Sequence, residues 1–222
     1  MTEIISNIRL LKTQIPESVR IVAVTKTRPV SDILTAYNTG HRLFGENRVS
    51  ELLAKKGDLP ADIEWHFIGH LQTNKVKQLI THVKMIQSVD SLRLLETIDK
   101  ESGKKGITTD CLLQFYIARE ETKHGFSFEE AEQIFTAGQI ENLKNVRICG
   151  VMGMATFTDN QEIVRQEFRQ LKTYYEKLRS LYCTKMSYFN ELSMGMSGDY
   201  RIAISEGATI VRIGSIIFGE RN

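Results

Sequence analysis

A chain of 222 residues, 41% apolar and 25% charged with a net charge of +2, has the composition of a soluble globular protein. At this length it can bury about 70% of its unfolded surface. The charges are interspersed, which argues against a nucleic-acid-binding face, because such a face needs clustered basic residues. Three widely spaced cysteines with no CxxC pair, Cys111, Cys149 and Cys183, read as reduced thiols of a cytoplasmic protein.

The N-terminal MTEIISNIRLLKTQI is too short and too charged for a signal peptide or a membrane span. Ile4, Ile8, Leu11 and Ile15 recur in it at helical spacing, so an amphipathic helix is expected first. Short apolar runs then alternate with longer amphipathic ones. Strands are expected at 21–25, 42–45, 64–69, 84–89, 110–116, 146–151, 187–193 and 209–214. IVAV and CLLQF are apolar on both faces, as strands of a covered parallel sheet are. Ser127 and Glu130 have capping-box spacing ahead of a helix. Ile163, Phe168, Leu171, Tyr175, Leu178 and Leu181 form one stripe over 160–182. Eight strands with helices between them predict an α/β fold, a (β/α)8 TIM barrel with an extra N-terminal helix, in one domain spanning 1–222. The open doubly wound sheet is disfavoured because no GxGxxG follows the first strand.

Chemistry is expected at the C-terminal ends of the strands, where such barrels carry their sites. The segment 192–221 reads as strand, turn, helix, strand, turn, with Ser197-Gly198 and Gly214-Ser215 at the two turns. Small residues bare backbone N–H groups and serines add hydroxyl donors, an arrangement suited to a phosphate after the seventh and eighth strands. Lys26 ends the first strand, where partial burial favours the neutral amine that attacks aldehydes; a solvated loop lysine is the plainer alternative. Arg212 sits inside the apolar run TIVRIG and needs either a carboxylate partner or a ligand. Glu46 and Asn47 follow the second strand and would face the same mouth, with helix capping by Asn47 equally open. His66 and His70 have HxxxH spacing but fall on a strand running into a loop, so no metal site is expected. Met152, Met154, Met194 and Met196 flank strand ends as core filler or as the lining of a flat ring. Glu120, Glu121 and Lys123 follow the fifth strand as a polar loop.

The segments AVTK, GENRVSE, WHFIGHLQTNK, QSVDS, EETKHG and LSMGMSGDYRIAISEGATIVRIGSIIFGER resemble, in order, the pattern of the pyridoxal phosphate homeostasis protein family. These are single-domain relatives of the alanine racemase N-terminal domain. The resemblance implies a fold-type-III barrel holding pyridoxal 5′-phosphate (PLP). By motif, Lys26 would be the Schiff-base lysine and Arg212 would face the pyridine nitrogen. Ser197, Gly198, Gly214 and Ser215 would hold the phosphate, and Asn47 and Met152 would lie beside the cofactor. The implied function is storage, buffering or delivery of PLP rather than turnover, with apo forms of PLP enzymes as candidate recipients and no nucleic-acid or membrane partner. A monomer is expected. The alternative is a low-activity amino-acid racemase. Racemisation needs two acid–base groups on opposite faces of the substrate. The chain ends at Asn222 without the second domain that supplies a tyrosine in two-domain racemases, and only Tyr116 or Tyr200 could substitute.

Overall fold

The computed structural model describes residues 2–118 and 125–220. Its centre is a closed barrel of eight parallel strands paired in sequence order, the eighth pairing back onto the first. After helix α1 (Thr2–Gln14) come β1 (Arg20–Val24), α2 (Val30–Tyr37), β2 (Leu43–Glu46), α3 (Val49–Lys56) and β3 (Glu64–Phe67). Next are α4 (Val76–Leu79), β4 (Met85–Val89), α5 (Leu92–Lys105), β5 (Thr109–Tyr116) and α6 (Phe128–Thr136). The chain closes with β6 (Val146–Met154), α7 (Gln161–Leu181), β7 (Glu191–Met196), α8 (Tyr200–Ser205), β8 (Ile210–Ile213) and α9 (Ser215–Phe218). The expected strands and the (β/α)8 fold are therefore present. The loop carrying Glu120, Glu121 and Lys123 lies outside the described residues.

Two hydrophobic layers hold the barrel. Side chains facing outward from the strands, among them Phe44, Trp65, Phe67 and Phe115, pack against the helices, as does Phe168 from α7. Inside, Val22, Leu43, Met85, Leu112, Cys149, Met152 and Ile210 form a separate plug. Such a barrel is a filled core and leaves room for a ligand only at its mouth. α1 buries Ile4, Ile8 and Leu11, followed by Ile15, on the expected face. It packs on α9 and α2, and Asn7 Nδ2 donates to Ile217 O at 3.2 Å.

Several boundaries differ from expectation, most clearly those of β7, β6 and the buried stripe of α7. β7 starts four residues later than the apolar pair Tyr188-Phe189 suggests. Turn hydrogen bonds, Met186 N–H to Cys183 O and Phe189 N–H to Met186 O, both 2.9 Å, fold that stretch back, and Phe189 stacks on Tyr175 at 5.4 Å between ring centroids. The strand instead runs through Met194, Gly195 and Met196. β6 likewise runs on to Met154, past the expected end at Val151. In α7 the buried stripe begins at Val164 rather than Ile163 and ends at Leu178; Leu181 is 61% exposed, in the last turn.

Candidate functional site

The strands end at a cavity of about 360 Å³ whose wall includes Lys26, Asn47, Ser197, Gly198, Arg212, Gly214 and Ser215. Of the residues that the resemblance assigns to the cofactor, all but Met152 line it; Met152 lies fully buried in the interior plug. Met154, two residues further along β6, takes the wall position, together with Val24, Ile68, Phe157 and Met196. Of these apolar residues Phe157 is 98% exposed, and Met154 and Met196 are partly open to solvent.

The two small-residue turns converge. Ser197 Oγ accepts the N–H of Gly214 at 3.2 Å and that of Ile216 at 3.5 Å, tying the end of β7 to the start of α9. Asp199 shapes the first turn: its Oδ1 accepts Met196 N–H at 2.5 Å and its own N–H donates to Met196 O at 3.1 Å. Burial raises the pKa of Asp199, with the Met196 amide and the Arg212 charge opposing. Sequence reasoning passed over Asp199, although a Ser-Gly-Asp run after a strand is itself a turn signal. Gly195 has φ +92°, and a Cβ there would come within 2.5 Å of the Ala203 methyl, so glycine lets α8 pack tightly behind the turn.

Arg212 lies beneath the cavity, 3% exposed. Among the described residues no carboxylate is within ion-pairing distance of it. Nη1 donates to Ser193 Oγ at 2.6 Å and Nη2 to Gly153 O at 2.9 Å. Burial pushes its pKa down to about 10, so the guanidinium stays charged at neutral pH. The polar chain continues inward. Ser193 Oγ donates to Gln87 Oε1, and Gln87 Nε2 donates to His66 Nδ1, both at 2.7 Å. Burial drives His66 down to about 3; as a neutral ring accepting at Nδ1, it carries its proton on Nε2. Of the two readings of Arg212, the structural ion pair is the one this geometry lacks.

Asn47 reaches the wall because the loops after β2 and β3 touch. A Cβ on Gly69 would fall 2.1 Å from Asn47 O, so only glycine permits the approach. Asn47 does not cap α3, whose N-cap is Arg48 with no side-chain cap. Its Oδ1 is buried without a hydrogen-bond partner among the described residues, a polar atom that a donor on a ligand would satisfy. Glu46, expected at the mouth, turns away from it and is fully buried against Thr25 and Lys55. His66 and His70 also part company, one inside the barrel and the other exposed beside Asp90 at 3.1 Å. Neither tyrosine considered as an acid–base group lines the cavity. Tyr200 Oη donates to Gln14 Oε1 at 3.1 Å, directed toward α1.

An amine, a buried cation and a cup of amides and hydroxyls on one wall suit an anionic aldehyde with an electron-poor ring. PLP fits that donor set, and the unsatisfied Asn47 oxygen accommodates a ring substituent carrying a donor.

The chain matches the model of the alanine racemase N-terminal domain over residues 1–222. A pyridoxal phosphate homeostasis protein of Aquifex aeolicus is 42% identical over 203 residues, covering 91% of this chain and 87% of that one. The structure of PipY from Synechococcus elongatus, solved with PLP bound, superimposes with a TM-score of 0.90 at 35% identity, covering 97% of this chain and all of that one. An alanine racemase of Clostridium difficile shares the fold at a TM-score of 0.83 and 14% identity, this chain spanning 57% of it. The chain thus belongs to the pyridoxal phosphate homeostasis protein family, built on the alanine racemase N-terminal domain.

Proposed function

We propose that this protein binds pyridoxal 5′-phosphate as an imine on Lys26 and stores, buffers or delivers it inside the cytoplasm, with apo forms of PLP enzymes as the recipients. The observation that carries this reading is that Lys26, the Ser197-Gly198 and Gly214-Ser215 turns and Arg212 line one cavity. When bound, the cofactor supplies an aldehyde that forms the imine and a ring that can accept electrons. Ser197, Ser215 and the glycine amides hold its phosphate, Arg212 faces the pyridine nitrogen, and Asn47 meets a ring substituent. The cytoplasmic setting is supported by three cysteines that are free thiols.

Racemisation is the competing reading, because an alanine racemase has the same fold. The geometry favours binding over turnover. Besides Lys26 and Arg212, the titratable residue on the described wall is Asp199, whose Oδ1 is engaged by the Met196 amide in the turn after β7; no tyrosine, histidine or cysteine lines the wall among the described residues. A permanent cation at the ring nitrogen also disfavours protonation there and weakens the electron sink. The test is incubation of the PLP-loaded protein with L-alanine and other amino acids in deuterated water, following α-proton exchange and chiral inversion. The reading predicts neither at an enzymatic rate; turnover on the order of 1–1000 per second would promote the racemase.

A further inference from the structure

The cavity leaves two parts of the GENRVSE segment without a role, Glu46 and Glu51, and a third charged residue between them and the barrel, Lys55. These three meet at the backbone on either side of Lys26. Lys55 Nζ donates to Glu46 Oε1 at 2.8 Å, Glu51 Oε1 at 2.6 Å and Thr25 O at 2.9 Å, which uses all three of its protons. Thr25 Oγ1 donates to Glu46 Oε1 at 2.6 Å, and Thr25 N–H donates to Gly45 O at 2.9 Å. On the other side, Thr27 N–H donates to Glu51 Oε1 at 2.5 Å. The remaining oxygen of Glu46 accepts Asn47 N–H at 3.2 Å. One buried cluster therefore holds the residue before Lys26, the residue after it, and the neighbouring wall residue Asn47.

The backbone shows what the cluster is holding. Thr27 has φ +65°, and it is the one residue other than glycine in the left-handed region among the described residues. For a β-branched residue that conformation is strained, and it persists only where the surroundings over-determine it. Two carboxylates and an ammonium in a largely buried position are also a weak source of stability, because desolvation offsets their attraction. A costly cluster securing a strained turn beside a reactive lysine has its explanation in geometry. Turning the chain sharply at Thr27 fixes the direction in which the Lys26 side chain leaves the end of β1.

We infer that Glu46, Glu51 and Lys55 form a clamp that positions Lys26 for imine formation, Glu51 by holding the left-handed turn at Thr27 and Glu46 with Lys55 by fixing Thr25 and Asn47. They are positioning residues, since none of them lines the cavity. The inference rests on the reading that Lys26 carries the cofactor.

The test compares two ligands in the intact protein: PLP, and pyridoxine 5′-phosphate, which keeps the ring and phosphate but has an alcohol in place of the aldehyde. Glu51→Leu, which leaves Thr27 N–H without its side-chain acceptor, is expected to slow imine formation by roughly ten- to a hundredfold, the scale of a misplacement of about 1 Å. Pyridoxine 5′-phosphate should bind this variant as it binds the parent, because Glu51 lines neither the cavity nor the turns after β7 and β8. Glycine accepts a positive φ without strain, so adding Thr27→Gly to Glu51→Leu should restore much of the lost rate. If Glu51→Leu does not fold, Glu51→Ala carries the same test. Equal weakening of both ligands, an unchanged imine rate in the variant, or no recovery with Thr27→Gly would overturn the clamp. A parent protein that forms no imine on Lys26 would instead overturn the reading on which it rests.

Discussion

At the scale of single residues, a cation held in an apolar strand has to be answered by a partner or a ligand. Lys26 and Arg212 stood out because a cation at the end of, or inside, an apolar strand has to be accounted for, and both lie on the cavity wall. Met152 was misplaced for a different reason. With the sixth strand ended at Val151, Met152 would stand just beyond it, at the mouth. The strand continues to Met154, so Met152 faces inward one step lower and joins the plug. Asp199 carried a local turn signal that went unread, whereas the clamp roles of Glu46, Glu51 and Lys55 depend on hydrogen bonds to Thr25 and Thr27, in a segment distant in sequence. Ser197 offers the direct test of the phosphate cup. Its hydroxyl ties the two turns together, and losing a hydrogen bond to a charged group costs about 1.5–3 kcal/mol. Ser197→Ala should therefore weaken PLP binding by about ten- to a hundredfold and reduce the preference for PLP over unphosphorylated pyridoxal. An unchanged preference, measured by titration with both, would place the phosphate elsewhere.

At the scale of elements, two of the motifs behind the family resemblance are pieces of one junction. WHFIGHLQTNK and QSVDS lie at the adjacent ends of β3 and β4 and are joined three times. Gln87 bonds His66, Ser88 Oγ donates to Gly69 O at 2.5 Å, and His70 meets Asp90. Between them the two motifs give only Ile68 to the cavity wall. They set the height of the loop that supports Asn47 and the inner end of the chain leading to Arg212. The helix caps were legible because they are local. Ser127 and Glu130 form the full capping box, with Glu130 N–H donating to Ser127 Oγ at 3.1 Å and Ser127 N–H to Glu130 Oε2 at 2.8 Å. Ser127→Ala should cost about 1 kcal/mol. In a protein of this size that is a fall of roughly 2–4 °C in melting temperature, with cofactor binding unaltered. No change in the melting curve would mean that α6 contributes nothing to the cooperative unit.

At the scale of the molecule, alternation of strand and helix was enough for the barrel, because each two-sided apolar run needs cover on both faces. The strand ends were less legible, since they depend on which turn closes first, as at Tyr188-Phe189. The filled interior makes a prediction of its own. Burial holds His41 at about 4 and His66 at about 3, against an ordinary value of 6.5. Between those limits the unfolded chain binds protons that the folded one does not, so stability rises with pH through the window and is lost as pH falls from about 6.5 toward 4. Denaturant midpoints should drop across that range, and His41→Gln should flatten the slope. A parent slope already flat there would mean that the rings are charged in the folded state.

The central claim is that the barrel mouth holds PLP as an imine on Lys26. Borohydride reduction of the PLP-loaded protein, followed by peptide mapping, tests it most directly, because reduction makes the bond permanent at whichever lysine carries it. The account predicts a single pyridoxyl adduct on Lys26. An adduct on Lys75 or Lys123, or none despite stoichiometric PLP binding, would contradict it.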